Sequence, residues 1–252
     1  MPRISPTNIR ILSLVVLLLL WQIAALIANS RVLPTPSHVL ATLWYELYEG
    51  ELLYHLAITL TRVAISFICA MLIGTAVGIL MGNRRLWDQL LDTLLVLGLN
   101  IPALVTIILC YIWFGLGEVA AILAVTLNKI PTVITIIREG SRAIDKELMQ
   151  VAMVYRLSPS DTFRKVYLPQ LYPYIFAAGR NGLSLIWKIV LVVELIGRSN
   201  GVGFQLSTFF QFFDISSILA YTIAFAMVVL SLEALLVRPL ETRLNRWRYD
   251  NS

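Results

Sequence analysis

The pentapeptide Gly197-Arg198-Ser199-Asn200-Gly201 is the part of the sequence that comes closest to a catalytic motif. It matches the G-x-S-x-G turn that carries the nucleophile of serine hydrolases, but that turn follows a strand, whereas this one follows an apolar run typical of a helix. The base would have to be His38 or His55, and both fall on or near the side predicted below to be outside. An intramembrane serine–histidine protease is an alternative interpretation, and we predict no catalytic residue here.

The sequence offers no other motif for catalysis, cofactor binding or metal binding. It contains no Gly-Lys pair, so it lacks the G-x-x-x-x-G-K-[ST] loop and cannot bind ATP by that route. The motifs H-E-x-x-H and paired C-x-x-C are absent as well. Cys69 and Cys110 lie inside apolar runs, which argues against a disulfide framework or a metal site. We predict a protein that is not an enzyme and needs no cofactor.

Five charged residues lie within apolar runs: Arg62, Lys129, Arg180, Lys188 and Glu194. Each costs about 2.5–3.5 kcal/mol at the centre of a spanning helix, so such residues usually have a function. Arg62 and Arg180 have the alternative of snorkelling or of capping carbonyls. Glu194 is six residues past Lys188, so the two do not share a helical face. We predict Arg62, Lys129, Lys188 and Glu194 to lie on a substrate pathway, and the excess of cations favours an anionic substrate.

The composition indicates that membrane-spanning helices position these charges. Of 252 residues, 58% are hydrophobic and 14% charged, whereas soluble domains have about 25% charged residues. A span needs about 20 apolar residues, and the runs are too continuous for alternating barrel strands. The sequence therefore predicts an all-α integral membrane protein with a single domain over residues 1–252. Its six transmembrane helices are Ile11–Ala28, Leu56–Met81, Leu90–Phe114, Val119–Ile137, Tyr172–Gly197 and Ile215–Val237.

Lys and Arg residues concentrate on one side of these six runs, which places that side in the cytoplasm. It carries Arg3, Arg10, Arg84, Arg85, Arg138, Arg142, Lys146, Arg156, Arg164, Lys165, Arg238, Arg243, Arg246 and Arg248. The other side carries only Arg31 and Arg198, so both termini are predicted to be cytoplasmic. Because the cations are spread over several loops, the net charge of +5 does not indicate nucleic-acid binding. A cleaved signal peptide is the alternative for the first run.

Two local patterns predict contacts of particular helices. After the breaker cluster 33–37, an amphipathic helix is expected in the outer membrane interface, because five apolar residues share one helical face: Val39, Leu40, Leu43, Trp44 and Leu47. In the second run, Gly74, Gly78 and Gly82 recur every fourth residue. Small residues at that spacing let a neighbouring helix approach closely.

The cytoplasmic segment of about residues 138–170 predicts a helix–turn–helix. Ile144, Leu148, Val151, Ala152 and Tyr155 recur at helical spacing. A second helix is expected to begin with Ser158 as N-cap and Pro159 at its first position, and to end at Pro169. Its exposed aromatic residues have two interpretations, packing against the ends of the spans or docking of a cytoplasmic partner.

This segment resembles the signature of permease subunits of bacterial ATP-binding-cassette importers, specifically the nitrate/sulfonate/taurine group. That signature has Glu-Ala-Ala, a glycine four residues later, and an ending of an aliphatic residue and Leu-Pro. Here it reads Gln150-Val151-Ala152, Arg156, then Val166 and Leu168-Pro169, with the full spacing. The resemblance extends from about Val32 to Val237 and includes Leu60-Thr61-Arg62, Trp113–Glu118 and Val192–Ile196.

Two residues depart from the family pattern: Gln150 replaces the acidic residue and Arg156 replaces the glycine of the turn. Glycine permits a left-handed backbone there, which an L-residue adopts at a cost of about 1–2 kcal/mol. Lys129 also departs from the group, which generally has an apolar or aromatic residue at that position. We expect docking to survive these changes, with a partner surface that matches them.

The resemblance implies how the molecule would work and what it would bind. Two copies of the chain would form a pore in the bacterial inner membrane, with a cytoplasmic ATPase subunit under each copy. A periplasmic or lipid-anchored substrate-binding protein would deliver a small solute from outside. The residues implied to contact the ATPase are Gln150, Ala152, Tyr155, Arg156, Leu157, Phe163 and Pro169. An ion-gradient-driven secondary transporter, with Glu194 as proton carrier, is the alternative function.

Overall fold

The computed structural model describes residues 6–30 and 32–237, and all the regular structure within these ranges is helical. The α-helices are α1 (Pro6–Ala28), α2 (Pro36–Tyr48), α3 (Leu52–Asn83), α4 (Arg85–Asn100), α5 (Ala103–Phe114), α6 (Glu118–Arg142), α7 (Lys146–Val154), α8 (Pro159–Thr162), α9 (Leu168–Gly197), α10 (Val202–Gln211) and α11 (Ile215–Leu232). Two π-helical segments, Phe163–Tyr167 and Glu233–Val237, follow α8 and α11. This confirms the predicted all-α class.

Four helices in the described ranges are long and apolar enough to cross a membrane: Leu52–Asn83, Glu118–Arg142, Pro159–Gly197 and Ile215–Leu235. They correspond to four of the six predicted spans. The apolar part of α1, Leu12–Ala28, is shorter. The count of six and the orientation remain predictions, and the predicted cytoplasmic residues Arg3, Arg238, Arg243, Arg246 and Arg248 lie outside the described residues.

The third predicted span, Leu90–Phe114, is corrected by the structure. It is divided between α4 and α5, which meet at an angle of 101°. Pro102 lacks a backbone N–H and disfavours the helical region for the residue before it. Ile101 accordingly adopts φ −71° and ψ 123°. The run is apolar throughout, but its backbone is a bent pair of helices and not one straight span.

The centre of the bundle is formed by α3, α6 and α9. Helix α3 packs most extensively on α6, and its three glycines lie at the contact. A Cβ atom on Gly74 would come within 2.6 Å of the Cβ of Val133, and one on Gly78 within 2.7 Å of the Cβ of Ile137. Gly82 faces Ser141 in the same way. The predicted close packing of the glycine face is confirmed.

Two ends of the bundle are distinguished by their charged residues. At the end where α3 and α6 finish, called the Arg142 end, Arg138 donates to Asp92 at 2.7 Å and Arg142 pairs with Asp88. These pairs hold α4 against α6. The opposite end, called the Glu118 end, includes the N-terminus of α6 and the loop 198–201 after α9. The predicted orientation would place the Arg142 end in the cytoplasm.

Helix α2 begins as predicted after the breaker cluster, with Thr35 as N-cap and Pro36 at its first position. It packs against α11 and α3. Val39 is buried and Leu43 and Leu47 are half-buried, whereas Leu40 and Trp44 of the same predicted apolar face stay exposed. Tyr221 on α11 also donates to Glu46 at 3.2 Å. Only part of the apolar face is therefore used within one protomer.

Candidate functional site: a coupling groove and a buried charge network

The predicted docking segment forms an open groove at the Arg142 end. The groove has a volume of about 610 Å³ and is lined by Leu148, Val151, Ala152, Tyr155, Leu157, Lys165, Val166, Pro169 and Gln170. Four of the predicted coupling residues are in that set: Ala152, Tyr155, Leu157 and Pro169. Tyr155 is 77% exposed, whereas Ala152 is buried. An apolar surface of this kind at the polar end of a membrane protein suits a protein partner.

The other predicted coupling residues lie beside the groove. Gln150 is exposed on α7, one turn from Val154, which is 80% exposed. Phe163 is also exposed, and its ring stacks on Tyr167 with centroids 5.5 Å apart. The Tyr167 hydroxyl accepts a 2.7 Å hydrogen bond from Asn83 at the end of α3. The segment is thus attached directly to a spanning helix.

The turn after α7 contains Arg156, at the position where the signature has glycine. Arg156 has φ +49°, the left-handed conformation. Leu157 N–H donates to Ala152 O at 3.0 Å and Arg156 N–H donates to Met153 O at 2.9 Å, which is the Schellman pattern that usually ends in glycine. The turn therefore has the left-handed geometry expected where the signature has glycine, and Arg156 adopts the conformation that costs an L-residue about 1–2 kcal/mol.

The second helix of the segment begins as predicted but does not end as predicted. The Ser158 hydroxyl accepts from Asp161 N–H at 3.1 Å and donates to the Asp161 carboxylate at 2.8 Å. The helix instead continues through the π-helical segment Phe163–Tyr167 into α9 and past Pro169, so that Pro159–Gly197 is one helix of 39 residues. Leu168 N–H donates to Phe163 O, five residues back. This wider backbone bonding relieves the clash that a proline ring has in an ordinary helix interior.

A buried charge network occupies the Glu118 end. Arg62, 3% exposed on α3, donates to Glu118 at 2.8 and 2.5 Å and to Glu194 at 2.7 Å. It also donates to both oxygens of Asn200, with 2.9 Å to the backbone carbonyl. Arg198 donates to Glu118 at 2.6 Å. Two arginines thus balance two carboxylates, and the network joins α3, α6, α9 and the loop after α9.

Glu194 is fully buried and holds the loop after α9. Its Oε2 accepts from the Thr59 hydroxyl and from Gly203 N–H, both at 2.9 Å. The Thr59 hydroxyl also lies 2.9 Å from Val202 N–H. Gly201 has φ +104°, and a Cβ atom there would collide with the Glu194 carboxylate. The glycines of the loop are needed because the backbone wraps tightly around this carboxylate.

His55 supports the same loop and is not paired with Ser199. Its Nδ1 accepts from Gly201 N–H at 2.9 Å, which places the ring proton on Nε2. Nε2 lies 3.3 Å from the Glu51 carboxylate and 2.7 Å from the Gln205 amide. Ser199 is exposed, and the pentapeptide follows a helix. The arrangement is that of a structural loop.

The four predicted pathway residues fall into two groups. Arg62 and Glu194 contact each other within the network. Lys129, at the middle of α6, is 1% exposed, and its ammonium lies 3.5 Å from the carbonyl oxygen of Asn181 on α9. Lys188 is exposed on α9, facing away from the buried side of Glu194. The structure thus separates two lysines from an arginine–glutamate pair.

The charge network includes three residues that sequence reasoning did not select as site residues: Glu118 and Asn200, which accept from Arg62, and Thr59, which donates to Glu194. Glu118 and Asn200 are 56 and 138 positions away from Arg62. No periodicity joins residues so far apart. The one available signal was the carboxylate of Glu118 at the start of an apolar helix, where it also faces the favourable end of the helix dipole.

Comparison with known proteins shows what this architecture is similar to. Residues 70–241 match the family model described as "Binding-protein-dependent transport system inner membrane component". An aliphatic sulfonates transport permease protein (SsuC) of Bacillus subtilis (strain 168) is 33% identical over 92% of this chain and 85% of its own length. The taurine transport system permease protein TauC of Escherichia coli (strain K12) is 30% identical over 92% of this chain and 86% of its own length.

Two solved structures that resemble the chain are transporters as well. A MetNI methionine ABC transporter in an inward-facing conformation has a TM-score of 0.67 at 18% identity, covering 80% of this chain and 99% of the other. An amino acid ABC transporter has a TM-score of 0.61 and covers 78% of this chain. The fold, the signature segment and the sequence relatives agree. The chain therefore belongs to the family of binding-protein-dependent transport system inner membrane components, as a multi-pass ATP-binding-cassette permease of the group that includes sulfonate and taurine permeases.

Proposed function

We propose that the chain is the transmembrane subunit of an importer that moves a small anionic solute across the bacterial inner membrane. Two copies form the pathway, a cytoplasmic ATPase docks under each, and a substrate-binding protein delivers the solute at the Glu118 end. ATP hydrolysis takes place on the ATPase. The observation that carries the proposal is the apolar groove at the Arg142 end, formed by the family's signature segment.

The connection from the groove to the spans supports a coupled mechanism. Helix α9 continues directly from the π-helical segment at the groove, and Asn83 binds Tyr167 at the end of α3. A displacement of the docked ATPase is therefore transmitted to α9 and α3 together. Since these helices are also joined at their far ends by Arg62 and Glu194, we expect them to move as a unit between inward-open and outward-open arrangements.

The polar residues of the spans support an anionic solute. The Arg62 network is balanced within itself, whereas Lys129 and Lys188 have no carboxylate partner among the contacts of the described residues. Lys188 lies on the surface of one protomer within a spanning helix, a position that favours a second copy or a water-filled path beside it. The names of the relatives, which refer to sulfonates and taurine, are consistent with this class.

The geometry gives less support to a secondary transporter with Glu194 as proton carrier. A carrier carboxylate must exchange its proton with both sides of the membrane. Glu194 is fully buried and already accepts from Arg62, Thr59 and the Gly203 backbone. Releasing it would disrupt the loop that these contacts hold.

The first test is to purify the tagged chain from its native membrane in mild detergent and to determine which proteins co-purify. We expect two copies of the chain with two ATPase subunits. Recovery without any ATPase, under conditions that keep other complexes of this type whole, would contradict the proposal.

A Phe163→Asp variant tests the groove itself. The substitution replaces the exposed ring that stacks on Tyr167 by a carboxylate. We expect the ATPase to be lost from the purified complex while the chain still inserts in the membrane. Phe212→Asp is the matched control, because Phe212 is equally aromatic and 77% exposed but lies after α10, far from the groove. Retention of the ATPase by the Phe163 variant would remove the docking assignment.

A further inference from the structure

Lys129 is a buried cation at the middle of a spanning helix. It is 11 residues from the start of α6 and 13 from its end, which is about 16 and 20 Å along the helix axis. A charge at such a depth requires a partner, because neither lipid nor an apolar core solvates it. The carbonyl oxygen of Asn181, at 3.5 Å, is the single hydrogen-bond contact found for its ammonium in the described parts of the chain.

The lysine is placed against α9 by a glycine. A Cβ atom on Gly182 would lie 3.3 Å from Lys129 Cε and 3.4 Å from a ring carbon of Phe67. The absence of a side chain at Gly182 thus makes room for the lysine stem beside the α9 backbone. The ammonium consequently lies directly behind Asn181, whose own side chain is exposed.

A second polar group next to Lys129 is also unsatisfied. Thr126 is one helical turn earlier on α6, so its Cβ atom is about 5–6 Å from that of Lys129. Thr126 is 4% exposed, and its hydroxyl oxygen has no hydrogen-bond partner among the described residues. Buried hydroxyl and ammonium groups rarely lack partners unless a ligand or water supplies them.

The exposed face of α9 continues this polar region toward the Glu118 end. Asn181, Ser184 and Lys188 follow at intervals of three and four residues and are all exposed, so they share one face. Lys188 lies about 10 Å from Asn181 along the helix. The face therefore carries Lys188, a second cation besides Lys129, which itself lies on α6 against the buried side of α9.

We infer that Lys129, with the Thr126 hydroxyl, forms a mid-membrane binding position for the oxyanion group of the transported solute, and that Lys188 is the next cation along the route. The inference rests on the proposed function and deepens it. An ammonium has three donors, and an oxyanion such as a sulfonate or nitrate offers several acceptor oxygens. The solute reaches Lys129 where Gly182 leaves α9 without a side chain, so α6 and α9 need not part at the Arg62 network.

The test uses the complete complex of this chain with its ATPase and binding protein in proteoliposomes. The probes are radiolabelled ethanesulfonate, nitrate and taurine, with ethyl methyl sulfone as a neutral molecule of similar size. The comparison uses the anion that the wild type accumulates, at limiting concentration. We expect Lys129→Met to reduce its ATP-dependent uptake rate by about ten-fold or more, because a charge-assisted hydrogen bond to the solute is lost. Lys129→Arg, which keeps the charge, should recover a substantial part.

Controls separate binding from folding. Arg85→Met removes one exposed cation at the Arg142 end and should leave uptake unchanged. All variants should co-purify with the ATPase and keep its basal hydrolysis. If Lys129→Met does not assemble, Lys188→Met provides the same test, because Lys188 is exposed in the protomer and its loss leaves no cavity.

The outcomes distinguish this inference from the proposed function. Equal uptake by wild type and by assembled Lys129→Met, or equal defects in Lys129→Met and Lys129→Arg, would overturn the inference alone. A wild-type complex that hydrolyses ATP but accumulates only the neutral probe would overturn the anion assignment. Absence of an ATPase from the complex would instead overturn the proposed function.

Discussion

The Arg62–Glu194 pair illustrates how a membrane protein retains charges deep within its helices. Each side chain has several hydrogen-bond partners, and together with Glu118 and Arg198 the cluster is electrically neutral. Removing one partner from such a pair costs more stability than replacing both partners by apolar residues, because the remaining charge is left buried without a partner. The stability of the Glu118 end therefore depends on all four groups.

Glu194→Gln tests this dependence. The amide keeps the size of the side chain but removes the charge that faces Arg62, so we expect destabilisation of about 3–5 kcal/mol. The measurement is the thermal unfolding midpoint of the detergent-solubilised complex, which should fall strongly. Glu139→Gln is the control and should change the midpoint little, because in the described part of the chain this exposed carboxylate pairs with Arg142 alone, one helical turn away.

Arg156 lies in a left-handed turn that favours glycine, so Arg156→Gly should stabilise the turn by about 1 kcal/mol. Arg156→Ala separates backbone from charge, since it keeps the unfavourable conformation and removes only the guanidinium. We expect the unfolding midpoint to rise in the glycine variant and to stay unchanged in the alanine variant. Equal shifts in both would show that the arginine side chain, and not its backbone, is responsible.

Residue-level prediction from the sequence succeeded where the relevant partners are close in the chain. Ser158 caps its helix through Asp161, three residues away, and the turn at Arg156 keeps the expected geometry. The network around Arg62 could not be predicted in the same way. Its members come from three helices and a loop, and only the fold brings them together.

Among the elements, the contact between α3 and α6 depends on glycines. Gly78→Ala would place a methyl group 2.7 Å from the Ile137 Cβ, so the two helices must move apart. We expect destabilisation of about 1–3 kcal/mol, typical of overpacking. Gly179→Ala on α9 is the control, because its new methyl group would have its nearest neighbour at 3.6 Å. The measurement is the thermal unfolding midpoint of each variant. Equal midpoints for the two variants would contradict close packing of α3 on α6 at Gly78.

The bent pair α4–α5 and the continuous helix through Pro169 show why apolar runs alone do not define elements. Both contain proline, yet Pro102 breaks its run and Pro169 does not. The difference lies in the backbone before each proline: extended at Ile101, π-helical at Phe163–Tyr167. Hydropathy indicates whether a segment lies in an apolar environment, but it does not indicate which hydrogen bonds its backbone forms.

The whole molecule has a predicted orientation, with the Arg142 end in the cytoplasm. In a background with Cys69 and Cys110 replaced by alanine, Ser160→Cys and Ser199→Cys introduce exposed thiols at opposite ends. An impermeant maleimide added to intact cells should label the variant at position 199, and that at position 160 only after the membrane is opened. The reverse pattern would contradict the orientation and, with it, the docking side.

Much of the whole-molecule description was available from the sequence, namely the membrane class, four of the spans and the family. The length of an apolar run and the signature segment are local properties of the sequence, so they can be recognised without knowledge of the fold. The position of Lys129 behind Gly182 required the structure, because it depends on how α6 and α9 are placed in space.

The uninterrupted helix Pro159–Gly197 also determines where the chain can change in length. Each added residue turns everything beyond it by about 100°. An insertion between Leu171 and Glu194 would therefore point the Glu194 carboxylate away from Arg62. A substitution does not change the angular position of the following residues around the helix axis. The π-helical segment Phe163–Tyr167 is different, since a π-turn contains one more residue than the α-turn that would replace it. We expect a single deletion to be tolerated there and nowhere else between the groove and the charge network.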